Sequence, residues 1–426
     1  MKLLLKAGRI IDPSQNFDSP MDIFIEEGKI ASITDHMDGV SEDTRIINLE
    51  GMIVLPGLVD MHTHLREPGY EYKETIRSGS EAAAAGGFTS IACMPNTHPV
   101  NDNRTVTEYI LKRSGEYNLV NVYPVAAISR NSEGKILAEF GDLKEAGAVA
   151  FSDDGKPVMN GLLMRRALEY ASSLDRVIIS HCEDLQLSAG GLMNEGRIST
   201  QLGLPGIPTL AEDVMVARDI LLAQFTGAAL HIAHVSSAGA VRMIRDAKAR
   251  GIRVTAETTP HYFTLTDEAL LDFDTHTKVN PPLRSREDLQ AVREGLRDGT
   301  LDVIATDHAP HAVTDKEVEF EYAASGISGL ETALGLSLKL VDDGLLTLHE
   351  LIRKMSVNPA KILNIPKGTL HQGADADITV FNPGKSWVVD PSTWRSQGKN
   401  SPFFGWTLRG KVMMALVGGK IVYQDV

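Results

Sequence analysis

Between residues 57 and 365 this chain alternates short apolar runs with amphipathic helical stretches, and that alternation leaves few folds open. The apolar runs fall at 58–61, 89–94, 120–127, 148–151, 177–180, 229–233, 253–256 and 303–306. Helices are predicted between most of them, for example over 75–85, 162–173, 211–223, 238–248 and 288–297. Short strands joined by helical crossovers pair in parallel. Eight such units predict a closed (β/α)8 TIM barrel of the α/β class. An open doubly wound sheet would carry a Gly-rich phosphate loop after its first strand, and Met61-His62-Thr63-His64 is nothing of the kind.

The two ends of the chain read differently. Residues 3–11, 21–26, 29–34 and 45–49 have strand character punctuated by turns such as Glu27-Gly28. Residues 377–381 and a hairpin over 412–423, turning at Gly418-Gly419, have the same character. Each end alone is too small to close a core, so residues 1–56 and 366–426 are expected to pair into one small β-sandwich-like domain beside the barrel of 57–365.

Composition narrows the function. A hydrophobic fraction of 43% supports a sizeable core, and a net charge of -14 with no basic run argues against nucleic acid. The opening Met1-Lys2-Leu3-Leu4-Leu5-Lys6 is too short for a signal-peptide core, and no apolar run reaches the ~18 residues that span a bilayer. No membrane association and a cytoplasmic location are expected. The only cysteines, Cys93 and Cys182, form no metal-binding or disulfide pattern, so attention passes to the 13 histidines.

In a barrel of this kind chemistry sits where strands end. His62 and His64 follow the first run, Asn96 the second, Asp153 and Asp154 the fourth, His181 the fifth, His234 the sixth, Asn280 lies beyond the seventh, and Asp307 follows the eighth. Residues two apart in an extended segment face the same way, so His62 and His64 can converge on one ion. Two histidines in that spacing are as often packed side chains as ligands. His181, His234 and Asp307 at equivalent strand ends turn the balance to a metal centre at the C-terminal rim. Imidazole and carboxylate without thiolate fit Zn2+. A catalytic zinc takes about three protein groups plus water, so six candidate ligands imply two ions. Such an ion lowers the pKa of water from about 15.7 to about 7, which makes hydroxide available as a nucleophile.

Together His62-Thr-His64-Leu-Arg66-Glu-Pro-Gly69, Met94-Pro-Asn96-Thr97, Phe151-Ser-Asp-Asp154-Gly155, His181-Cys-Glu183, His234-Val-Ser-Ser237, Val279-Asn280-Pro-Pro-Leu-Arg284 and Ala305-Thr-Asp307-His-Ala-Pro-His311 resemble class I bacterial dihydroorotase of the amidohydrolase superfamily. The motifs are long, run in the family's order and cover nearly the whole chain. The resemblance implies that His62 and His64 hold one zinc ion, that His181 and His234 hold the other, and that a carboxylate after the fourth strand bridges them. Related hydantoinases, dihydropyrimidinases and allantoinases place a carboxylated lysine there, whereas Ser152-Asp153-Asp154-Gly155 resembles the dihydroorotases that use aspartate. Spacing alone leaves Asp153 and Asp154 both open, and the family's spacing to His181 favours Asp154.

The same resemblance implies that Arg66, Asn96 and His311 hold a substrate carboxylate, that Asn280 contacts a pyrimidine ring, and that Asp307 is both ligand and general acid/base. The implied reaction is reversible closure of N-carbamoyl-L-aspartate to L-dihydroorotate by metal-bound hydroxide chemistry, a step in de novo pyrimidine (UMP) biosynthesis. Two alternatives compete. Another cyclic amidohydrolase of hydantoinase or allantoinase type is disfavoured by aspartate in place of lysine and by the pair Arg66 and Asn96. A non-catalytic dihydroorotase-like partner of aspartate transcarbamoylase is disfavoured because His62, His64, Asp154, His181, His234 and Asp307 are all retained. A homodimer is the default expectation for assembly. Segment 312–326, with four acids and one lysine, is expected to be a rim loop or a lid.

Overall fold

The computed structural model describes residues 2–37 and 39–425. Five strands open the chain: β1 (Lys2–Asp12), β2 (Phe17–Glu26), β3 (Lys29–Thr34), β4 (Thr44–Asn48) and β5 (Ile53–Pro56). The barrel follows with β6 (Leu58–Thr63), β7 (Phe88–Cys93), β8 (Asn121–Ala126), β9 (Ala150–Phe151) and β10 (Val177–Ser180). After a rim excursion, β11 (Met193–Asn194) and β12 (Gly206–Ile207), it continues with β13 (Leu230–Ile232), β14 (Val254–Thr258) and β15 (Val303–Ile304). The chain ends with β16 (Ile378–Val388), β17 (Thr407–Val417) and β18 (Lys420–Gln424).

The eight barrel strands run in parallel in the order β6-β7-β8-β9-β10-β13-β14-β15, each at or within a few residues of an apolar run read from the sequence. Helices Ile76–Ala85, Gly161–Ser173, Leu210–Thr226, Ala238–Ala249 and Arg286–Arg297 occupy the crossovers where they were expected. Their starts are fixed locally. The side chains of Thr75, Asn160, Ser237 and Ser285 each accept a backbone N–H from the first turn, satisfying donors that a helix leaves open. The strands share a core of Val59, Met61, Ala92, Val125, Ile179 and Val303, among others, while a larger apolar cluster lies between strands and helices.

The barrel is nearly closed, and a buried carboxylate secures its seam. Thr63 bridges to His308 in parallel, and the His64 N–H donates to the His308 carbonyl at 2.8 Å. Asp60, fully buried, accepts the N–H groups of His62 and Thr306 at 3.1 Å each and the Thr306 hydroxyl at 2.5 Å. Removing it strands three donors, each costing about 1–3 kcal/mol when left unpaired. Asp60→Ala should therefore lower the unfolding free energy by roughly 3 kcal/mol or more, measured by urea denaturation. A loss below 1 kcal/mol would mean that water or a neighbour takes over the seam.

Strands from both chain ends form one sheet, β18-β17-β16-β5-β1-β2-β3, with β4 also paired to β1. The joint is direct: β5 pairs with β1 in parallel and with β16 antiparallel. This sheet has its own apolar cluster, including Leu3, Ile23, Val54, Ile378, Val380 and Leu416. Among the described residues no helix is long and apolar enough to cross a membrane.

Candidate metal centre and active site

At the C-terminal rim the strands bring the separated candidate ligands together. His62 lies on β6 itself and His64 just beyond it; Asp154 follows β9, His181 β10, His234 β13 and Asp307 β15. All six are buried. Asp154 lies at the centre. Its Oδ1 is 3.4 Å from His62 Nε2 and 3.5 Å from both His181 Nδ1 and His234 Nε2, while its Oδ2 is 3.5 Å from His64 Nε2. Asp307 Oδ1 lies 3.0 Å from His64 Nε2 and 3.5 Å from His62 Nε2. His181 Nδ1 and His234 Nε2 are 2.8 Å apart.

These separations fit shared ions. Two donors about 2.0–2.2 Å from a tetrahedral ion lie roughly 3.4 Å from each other. In two groups every ligand atom lies within 4.8 Å of the others, His62 with His64 and Asp154, and Asp154 with His181 and His234. Independently, His62 Nε2 and Asp154 Oδ1 are buried without a hydrogen-bond partner. Buried polar atoms are rarely left so, and here both point at the place an ion would fill. Asp153 turns the other way: its carboxylate accepts the Ser129 N–H at 3.0 Å and the Ser129 hydroxyl.

The ligand rings are oriented from behind. His62 Nδ1 donates to Glu257 Oε1 at 2.5 Å, and Glu257 Oε2 accepts from His231 Nε2 at 3.2 Å. His64 Nδ1 donates to Asn96 Oδ1 at 2.9 Å, and His181 Nε2 donates to Glu183 Oε2 at 3.1 Å. Each bond fixes a tautomer and leaves the other ring nitrogen for a metal. Burial pushes the Asp154 carboxyl up, but the surrounding imidazoles of His62, His181 and His234 hold it well below the usual carboxylate range. Burial likewise raises Asp307, and His62 and His64 outweigh it.

The centre forms the floor of a cavity of about 360 Å³ whose wall includes Arg66, Asn96, Asn280, Asp307 and Gly326. Arg66 Nε donates to the Pro310 carbonyl at 3.1 Å. Asn280 Nδ2 donates to Glu183 Oε2 at 2.9 Å. His311 stands behind this wall, its Nε2 donating to the Ser325 carbonyl at 2.9 Å and lying 3.5 Å from the Arg66 guanidinium. Burial and the charges of Arg66, Lys73 and Lys316 push His311 down to about 2, so it is neutral at physiological pH. A larger cavity of about 520 Å³ opens at the opposite end of the barrel, beside Val177, Leu230 and Val254, but neither metal-ligand group touches it.

Three site residues, Arg66 (φ +63°), His234 (φ +34°) and Asp307 (φ +46°), adopt left-handed backbone conformations. Each costs about 1–3 kcal/mol in a non-glycine residue, and such strain gathers at functional sites. Segment 312–326 is fastened beside the cavity. The Lys316 ammonium donates to the carbonyls of Thr275, Lys278 and Ala324, and Lys278 Nζ donates to those of Phe320 and Glu321.

Glu257, Glu183, His231 and the seam residue Asp60 were not singled out from the sequence. Glu257 carried a usable signal, a lone carboxylate inside the strand run Val254-Thr-Ala-Glu-Thr258, which only a buried partner can stabilise. Glu183, two residues past a strand-end histidine, carried the weaker signal of position.

Comparison with known proteins agrees with this architecture. Residues 51–240 match the family described as dihydro-orotase-like, and residues 223–423 match the amidohydrolase family. A protein named dihydroorotase from Syntrophus aciditrophicus (strain SB) is 83% identical over 425 residues, covering 100% of both chains. Another dihydroorotase, from Pelotomaculum thermopropionicum, is 59% identical over 100% of this chain and 99% of its own. Among solved structures, the L-hydantoinase (dihydropyrimidinase) from Arthrobacter aurescens superimposes with a TM-score of 0.88 at 28% identity, covering 99% of this chain and 96% of that one. With such identity sustained from end to end, and with amidohydrolase architecture around it, the chain belongs to the dihydroorotase family.

Proposed function

We propose that this chain catalyses the reversible cyclisation of N-carbamoyl-L-aspartate to L-dihydroorotate with two zinc ions in its rim site. One observation carries the reading: a carboxylate facing four histidines shares its cavity with a half-buried guanidinium, Arg66. A ring with a free carboxylate gives that guanidinium a partner, and an uncharged ring does not.

His62, His64 and Asp307 would hold one ion, His181 and His234 the other, with Asp154 shared. When bound, the ions supply Lewis acidity and lower the pKa of water towards about 7. The protein's own groups do the rest. Arg66 pairs with the substrate carboxylate, and Asn280 offers its remaining N–H and its carbonyl to the ring. Asp307 Oδ1 faces His62 and His64, which leaves Oδ2 to carry a proton. In ring opening, water adds to the amide carbonyl carbon, Asp307 Oδ2 accepts its proton, the C–N bond breaks, and the proton passes to the leaving nitrogen. Cyclisation reverses each transfer.

Purified zinc-loaded protein should open L-dihydroorotate, lose that activity on chelation, and leave hydantoin and allantoin unchanged. Turnover of either of those rings with dihydroorotate untouched would overturn the substrate assignment. Arg66→Ala should raise KM for dihydroorotate about tenfold or more, given roughly 1.5–3 kcal/mol for a charged hydrogen bond. An unchanged KM would mean that another group holds the carboxylate.

A further inference from the structure

We propose that Glu183 is a positioning residue coupling one metal half-site to the substrate side of the cavity. Its Oε2 atom accepts two hydrogen bonds at once, from His181 Nε2 at 3.1 Å and from Asn280 Nδ2 at 2.9 Å. The first sets the His181 tautomer, with the proton on Nε2 and the Nδ1 lone pair towards Asp154 and His234. The second fixes the plane of the Asn280 amide, leaving one N–H and the carbonyl for a ligand. His181 follows β10 and Asn280 lies beyond β14, 97 residues from Glu183, so one carboxylate oxygen ties two rim loops together. The carboxylate is only 15% exposed and lines the cavity, where water competes weakly for it.

The other half-site provides an internal comparison. Glu257 orients His62 as Glu183 orients His181, but it is fully buried, and its second oxygen goes to His231 rather than to a cavity residue. Both glutamates orient a metal ligand, and only Glu183 also orients a cavity side chain.

Zinc affinity, read by competition with a chromophoric chelator, should fall about 10–100-fold in both Glu183→Ala and Glu257→Ala, the usual loss when a carboxylate behind a ligand histidine is removed. At saturating zinc, KM for L-dihydroorotate should rise severalfold in Glu183→Ala. Glu183→Gln, whose side-chain oxygen can accept both bonds, should restore KM. Adding Asn280→Ala to Glu183→Ala should raise KM no further, because the two groups act as one unit. Unchanged zinc affinity in Glu183→Ala, or KM effects of Glu183→Ala and Asn280→Ala that multiply, would overturn the coupling. The substrate arm rests on the dihydroorotase reading. Failure of the parent protein to open dihydroorotate would overturn that reading together with the substrate arm, while the chelator titration still decides the His181 arm.

Discussion

Asp307→Asn should lower kcat for dihydroorotate by about 10²–10⁴-fold, the range that a positioned general acid/base contributes, while bound zinc per chain stays unchanged. The two side chains have the same shape, so an amide oxygen can take the place of Oδ1 beside His62 and His64. The amide nitrogen that replaces Oδ2 cannot accept a proton. The backbone favours the test as well: Asp307 has φ +46°, and asparagine is among the residues that tolerate this region best. A loss of activity through misfolding is therefore disfavoured. Metal analysis and a thermal melt run beside the kinetics separate the outcomes, and near-normal turnover with full metal would remove Asp307 from the proton path.

What could be read from the sequence was whatever depends on local order. Apolar runs placed the barrel strands because burial on both faces demands consecutive apolar residues. The polar residues just after those runs were then the rim residues. Strand ends were less legible. The apolar pattern ends the seventh run at Ala256, yet β14 continues to Thr258, and His62 and His231 meet the Glu257 carboxylate inside the barrel. His62 and Glu257 are 195 residues apart, and no periodicity says which loops will meet.

Segment 312–326 shows the same limit from the other side. Its charged composition suggested a solvated rim, and lysine is rarely buried without partners. Lys316 is buried, however, because three backbone carbonyls take all three ammonium hydrogens. Asn96 illustrates a change of emphasis rather than of place. The resemblance suggested a substrate contact, and the structure also has it accept the Nδ1 proton of His64, so it can serve the metal side and the cavity together.

Asp154→Ala should abolish the stabilisation that zinc gives this protein. A ligand that binds only the folded state at 1,000 times its Kd contributes about 4.1 kcal/mol. For a 426-residue chain, at about 2.1 cal/mol/K of unfolding entropy per residue, that corresponds to a Tm difference of about 5 °C between loaded and chelated protein. Asp154 belongs to both ligand groups, so its loss dismantles both half-sites, whereas loss of a single histidine spares one. The shift in Asp154→Ala should therefore fall below about 1 °C. Against the upward push of burial, the imidazoles of His62, His181 and His234 face the Asp154 carboxylate and hold it below its usual range, so without metal it still stabilises the fold at neutral pH, and the chelated alanine variant should melt below the chelated parent. The zinc shift, taken between loaded and chelated samples of the same protein, reads metal binding apart from that folding contribution. An undiminished zinc shift in Asp154→Ala would place the ions elsewhere. A chelated variant that melts with the chelated parent would mean that the carboxylate contributes to the fold only through metal.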